Sequence, residues 1–134
     1  MYARITAVGA YAPKQIKTNF DFEKIVDTSD EWIVQRTGIK ERRFAEVDEM
    51  VSDLSAEAAR DLARRYNISL EDVDCIILTT SSAEHSIPSI ASQIQHKLEI
   101  PNTGTFDLLA ACAGFGYALM VAQGLVAAGI HKKI

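Results

Sequence analysis

The side chain best placed to do chemistry is Cys112, within "DLLAACAGFGYAL" (Asp107 to Leu119). It follows a short apolar, strand-like stretch and opens a long uncharged run, so it falls at a strand-to-helix junction. The first backbone N–H groups of a helix lack internal partners and carry the positive end of its dipole. Such a setting favours the thiolate, which is the nucleophilic form of cysteine. Ala110, Ala111, Ala113 and Gly114 leave room beside the sulfur. Gly114 and Gly116 would each cost about 1 kcal/mol relative to alanine inside a helix, which points to close backbone approach or to required space. The opposing reading is that a free cysteine is a small apolar filler, the commoner outcome on these features alone. Cys75, inside the apolar run "DCIILTT", reads as core.

Other chemistries are weaker. His85, His96 and His131 have no spacing with the cysteines that reads as a zinc site. His96 falls in a helical pattern and His85 in a loop. No glycine-rich phosphate-binding pattern occurs. Asp30-Glu31 and Glu46/Asp48/Glu49 read as solvated charges or helix caps.

The chain has 134 residues, 48% hydrophobic and 24% charged, enough for one domain with a core. A net charge of −4, with basic residues scattered and adjacent only in the isolated pairs Arg42-Arg43, Arg64-Arg65 and Lys132-Lys133, argues against a nucleic-acid partner. Two cysteines make no secreted framework, and "MYARITAVGA" does not read as a signal peptide, so a cytoplasmic setting is the expectation. Leu108 to Ile130 carries no charge, and by length alone it is a transmembrane candidate. Its glycines, alanines and Gln123 make the buried helix of a soluble fold the better reading.

The elements that must hold Cys112 follow from periodicity and punctuation. Tyr2 to Ala10 reads as a strand ended by Gly9 and Pro13. Thr18-x-x-Asp21 caps a short helix reaching Val26. Thr28-x-x-Glu31 caps a second helix, which stops at Gly38 with Ile39 in a Schellman-type contact. Leu54, Ala58, Leu62 and Tyr66 recur at helical spacing up to Asn67. Asp74 to Thr80 reads as a strand buried on both faces. Pro88 opens a helix with Ile90, Ile94 and Leu98 on one face. A short strand, Thr105 to Leu108, precedes the uncharged helix, which ends near Gly129. This order is that of an α/β fold with a parallel sheet of three strands. Three strands and amphipathic outer helices supply only part of the cover an all-round apolar helix needs, so the chain reads as a fragment or as partner-dependent.

"DTSDEWIVQRTGIKERR" (Asp27 to Arg43) together with "AACAGF" (Ala110 to Phe115) resembles β-ketoacyl-acyl-carrier-protein synthase III, of the thiolase superfamily. "VGAYAPKQIKTN", "TTSSAEHSIPS" and "ASQIQHKLEI" fall where that family has comparable segments, so the resemblance covers the whole chain. It implies a thiolase-like fold, of which residues 1–134 are an N-terminal portion: part of the first half of a duplicated α/β/α/β/α layered architecture.

The resemblance also implies a reaction. An acyl group passes from acyl-coenzyme A to a cysteine, here Cys112, and condenses with malonyl-acyl carrier protein. Carbon dioxide is lost, and the 3-oxoacyl thioester that starts fatty-acid synthesis is formed. By the same resemblance the Cys112 N–H contributes to an oxyanion hole, and Thr28, Trp32 and Arg36 hold the coenzyme A nucleotide. Ile87 matches a position that shapes the acyl pocket across a homodimer interface. Phe115 packs near that pocket. No resident cofactor is implied, since acyl-coenzyme A and malonyl-acyl carrier protein are substrates.

Family members are well over twice this length, and their catalytic histidine and asparagine lie in the second half. No residue here inherits those roles, so the chain alone is expected to be incompetent for condensation. A non-catalytic coenzyme A-binding or partner-capping homologue, and other thiolase-superfamily condensing enzymes, are the alternatives.

Overall fold

The computed structural model describes residues 2–134. Two compact units are present, one formed by residues 12–49 and the other by residues 2–11 and 50–134.

In the smaller unit, strand β1 (Gln15–Thr18) pairs antiparallel with β2 (Glu41–Phe44), in the register Ile16 opposite Arg43. Between them lie helices α1 (Asn19–Glu23) and α2 (Asp30–Thr37). Thr18 starts α1 as the sequence suggests: its N–H and hydroxyl both donate to Asp21 Oδ2, at 2.9 and 2.8 Å. The Thr18 backbone amide, then its hydroxyl, then Lys24 hold the Asp21 carboxyl down to about 2. The helix ends at Glu23, short of Val26.

The second cap is one residue later than the capping-box pattern indicates. Ser29, not Thr28, is the N-cap, and its Oγ accepts the Trp32 N–H at 3.1 Å. Gly38 does end α2, in the left-handed region at φ 72°, where a side chain would be strained. The Schellman contact is replaced: the Ile39 N–H donates to Thr37 Oγ1 at 3.1 Å. Asn19 is fully buried and fully used. Its Nδ2 donates to Asp30 Oδ1 and the Ile39 carbonyl, both at 2.8 Å, and its Oδ1 accepts from Arg42 at 2.7 Å.

The larger unit is built on a strand–helix–strand unit: β3 (Cys75–Thr79), α4 (Ile90–Lys97) and β4 (Gly104–Leu108). The strands pair in parallel, Cys75 with Gly104 through Thr79 with Leu108. An eight-residue helix is marginal alone, so α4 stands on packing. Ile90 and Ala91 are completely buried, Ile94 is buried, and α4 lies against β3, β4 and α3 (Val51–Tyr66). Cys75 is core as expected, and burial, then the Asp74 charge, pushes its thiol up. Helix α3 ends at Asn67 in the left-handed region, the stop its sequence marks. Asp53 pairs with Lys97, and Arg60 donates to the Lys97 carbonyl at 2.6 Å, tying α3 to the end of α4. Pro88 lies outside α4, whose N-cap is Ser89.

Two expectations about the sheet fail. Residues 2–10 form no strand, because among the described residues no strand pairs with them. They lie extended along helices instead: the Ala3 N–H donates to Gln123 Oε1 at 2.8 Å, and the Ala10 N–H to Asp61 Oδ2 at 3.1 Å. The parallel sheet therefore has two strands, not three. Gly9 marks the closest approach. A Cβ there would sit 2.2 Å from the Ala58 carbonyl oxygen and 2.6 Å from Leu62 Cβ. Gly9→Ala is expected to lower stability by about 1–3 kcal/mol, whereas Gly124→Ala, with open space around its Cβ, is expected to raise it by about 0.5–1 kcal/mol. Paired denaturant titrations check both signs.

The uncharged segment becomes a single 3-10 turn (Ala111–Ala113) and α5 (Gly114–Ala127). At 14 residues α5 is not a membrane span, and no helix among the described residues is long and apolar enough to cross a bilayer. It packs on β3 yet leaves Phe115 and Met120 about two-thirds exposed. Within this chain it is not the fully covered helix its composition suggests.

Candidate functional site

Both strands of a parallel sheet end on the same edge, which is where open α/β sheets hold their ligands. The Thr80–Ser89 loop leaves β3 at that edge, and the turn carrying Cys112 leaves β4 there. Cys112 is exposed, in the 3-10 turn immediately before α5. The junction predicted for it is therefore present, and the cysteine is not filler in this chain's core.

The turn is sharp. Ala111, just before the nucleophile candidate, has φ 43°, the left-handed region in which a Cβ crowds the following carbonyl. Backbone strain of this kind persists only where the surroundings over-determine it. The Ala113 N–H donates to the Ala110 carbonyl at 3.0 Å and closes the turn. Gly114 is buried and sets α5 hard against β3: a Cβ there would meet Thr79 Cβ at 3.0 Å and Oγ1 at 3.3 Å. This is a close approach that favours a glycine. Gly116 has no such neighbour. Ala111→Gly is expected to stabilise the chain by up to about 1 kcal/mol, as the left-handed penalty outweighs glycine's larger chain entropy. Thermal denaturation beside the parent chain reads this.

The same edge carries a side-chain clasp that the sequence did not suggest. Asp107 on β4 accepts the Ile90 N–H at Oδ2 (2.7 Å) and the Ala91 N–H at Oδ1 (2.8 Å), the first two amides of α4. Ser89 Oγ accepts the Ser92 N–H at 3.2 Å. Upstream, Glu84 Oε1 accepts the Ser52 N–H of α3 at 2.7 Å, and His85 Nε2 lies 2.7 Å from Gln93 Nε2. Between these ties Ile87 points out, 87% exposed. The only sequence signal for the clasp was an acid at the end of an apolar strand, where a charge must find a partner or face water.

Thr28, Trp32 and Arg36 belong to the smaller unit. Trp32 is 55% exposed, and the Arg36 guanidinium carbon lies 5.8 Å from its ring centroid, one helical turn on. The pair presents a flat aromatic face and a fork of donors together, the groups a purine base and a phosphate call for. Thr28, half-buried, immediately precedes the α2 cap. Of the remaining histidines, His131 Nδ1 lies 3.6 Å from Asp74 Oδ1, at the opposite, starting end of β3. No group of three or more His, Cys, Asp or Glu side chains among the described residues is arranged to hold a metal ion.

The chain matches no protein-family model. It is 56% identical, over 98% of its own length, to beta-ketoacyl-[acyl-carrier-protein] synthase III 2 of Halalkalibacterium halodurans, and 53% identical to the protein of that name in Bacillus anthracis. It spans about 40% of the length of these curated relatives. Among solved structures, beta-ketoacyl-[acyl carrier protein] synthase III of Thermus thermophilus superposes with a TM-score of 0.91 at 47% identity, covering 96% of this chain and 40% of that one. The backbone is thus that of the thiolase-like α/β fold these synthases share.

Proposed function

We propose, for a chain that corresponds to an N-terminal portion of β-ketoacyl-acyl-carrier-protein synthase III, that Cys112 is the nucleophile of a decarboxylative condensing acyltransferase. The observation that carries this reading is the exposed cysteine on a strained turn at the edge where β3 and β4 end.

The Cys112 sulfur attacks the carbonyl of an acyl-coenzyme A. The thioester bond to coenzyme A breaks, a thioester to Cys112 forms, and coenzyme A leaves as its thiol after taking up a proton. The Cys112 amide, at the opening of α5, donates to the oxyanion as the carbonyl becomes tetrahedral. Trp32 stacks on the adenine, Arg36 meets phosphate, and Thr28 completes that nucleotide site. Ile87 shapes the acyl pocket. In the second half-reaction malonyl-acyl carrier protein loses carbon dioxide, and its carbanion takes the acyl group from Cys112, giving the 3-oxoacyl product. Acyl-coenzyme A and malonyl-acyl carrier protein act as substrates, with no resident cofactor.

This chain supplies the nucleophile but no group for the decarboxylation. His85 is tied to Gln93, and His131 sits at the far end of β3 beside Asp74. The apolar face that α5 exposes is the surface the remainder of a full-length synthase covers, in a homodimer and in the cytoplasm. The 134-residue chain given acetyl-coenzyme A and malonyl-acyl carrier protein is expected to yield a Cys112 thioester and no 3-oxoacyl product. Product formation dependent on malonyl-acyl carrier protein would contradict the division of labour between the parts.

A further inference from the structure

We infer that Asp107 is a positioning residue for Cys112, holding in place the strained turn that presents the sulfur. The inference rests on the reading of Cys112 as acyl acceptor.

Six residues separate Asp107 from Gly114, and both ends of that stretch are fixed to other elements. At the far end Gly114 packs tightly against Thr79 of β3, where an added Cβ would lie 3.0 Å from Thr79 Cβ. At the near end both carboxylate oxygens of Asp107 are engaged, by the amides of Ile90 and Ala91. These amides belong to the two fully buried residues at the start of α4, so the clasp grips the core and not a loose loop. A carboxylate at a helix N-terminus also complements the helix dipole. Ala111 lies between the two anchors at φ 43°. Within the 3-10 turn the Ala113 N–H bond to the Ala110 carbonyl closes the backbone, and no side chain caps it. The strain is therefore held from outside, by Asp107 on one side and by Thr79 against Gly114 on the other.

The consequence is specific. With the clasp loosened, Ala111 relaxes out of the left-handed region, and Cys112 loses its alignment with its own amide and with an incoming thioester. Acyl transfer needs that alignment. Alkylation by a small, soluble electrophile needs only an accessible sulfur. Asp107→Asn keeps one acceptor oxygen and turns the other position into a donor facing an N–H, so one of the two amides loses its partner.

The test uses the whole 134-residue chain and its Asp107→Asn, Ala111→Gly and double variants. Two rates at Cys112 are followed by mass spectrometry: acetylation by acetyl-coenzyme A and alkylation by iodoacetamide. Asp107→Asn should slow acetylation about tenfold, the scale of one left-handed non-glycine residue, and leave alkylation within about twofold. Ala111→Gly in the Asp107→Asn background should restore most of the lost rate, because the turn then needs no outside restraint. Equal loss of both rates, or no rescue by Ala111→Gly, overturns the proposal. Hydrogen exchange in the parent chain keeps the test decisive if Asp107→Asn does not fold. The Ile90 and Ala91 amides should be as protected as those of β3 and β4, and free exchange there also overturns it. A parent chain that alkylates normally but never acetylates fails the underlying reading of Cys112, and protected Ile90 and Ala91 amides would mark that failure as distinct from a missing clasp.

Discussion

Ile90→Ala should lower the stability of the larger unit by about 2–5 kcal/mol, the cost of emptying a fully enclosed branched site. Ile90 has no solvent exposure and is the largest completely buried side chain among the described residues. It opens α4, which touches β3, β4 and α3 at once. Its backbone amide is one of the two held by Asp107, so the side chain and the clasp fix the same point. A helix this short has little stability of its own to absorb the loss. In a denaturant titration the midpoint should fall while the slope stays unchanged, since the same surface is exposed on unfolding. Met120→Ala, on the exposed face of α5, should stay within about 0.5 kcal/mol of the parent. Equal effects of the two substitutions would show that α4 is not the centre of the unit.

Trp32→Ala should weaken coenzyme A binding about 5- to 150-fold, the range expected for the loss of one base-stacking platform. The ring is more than half exposed and faces only Arg36 within its unit's aromatic and cationic contacts, so its removal takes little from the fold. Melting temperature should hardly move. Iodoacetamide should still alkylate Cys112 at the parent rate, because the sulfur belongs to the other unit. Arg36→Gln should weaken binding by a smaller factor that shrinks with added salt, as a charge–phosphate contact does. Calorimetric titration with coenzyme A reads both. Undiminished affinity in Trp32→Ala would remove the nucleotide site from the smaller unit.

The parts of this protein that were legible in its sequence are those specified locally. Gly38 and Asn67 end their helices because each adopts a left-handed conformation its type tolerates. Thr18 and Asp21 are three residues apart and satisfy each other. The run from Cys75 to Thr79 is apolar enough to be a strand in any reading. Cys112 fell at a junction because the change from strand-like to uncharged helical residues is abrupt.

What stayed hidden depends on distant partners. Residues 2–10 carry a strand's composition but have no strand beside them, and a ladder needs two sides. The β1–β2 ribbon was missed because "ERRF" has no apolar alternation. It is set by its pairing and by Asn19, whose amide N–H donates to the Lys40 carbonyl at 3.2 Å. The shift of the α2 cap from Thr28 to Ser29 reflects which hydroxyl reaches the Trp32 amide, a matter of one residue that spacing alone leaves open. The Asp107 clasp joins positions 16 and 17 residues apart, and the left-handed Ala111 is a conformation that alanine does not advertise.

The central claim is that one sulfur in this chain accepts an acyl group from coenzyme A. Incubation of the chain with acetyl-coenzyme A, followed by proteolysis and peptide-resolved mass spectrometry, locates that group directly. The account predicts a single acetyl thioester on the peptide containing Cys112, released by hydroxylamine, with Cys75 unmodified. Acetyl found on Cys75 or on lysines, or no thioester at all while Cys112 remains a free thiol, would contradict it.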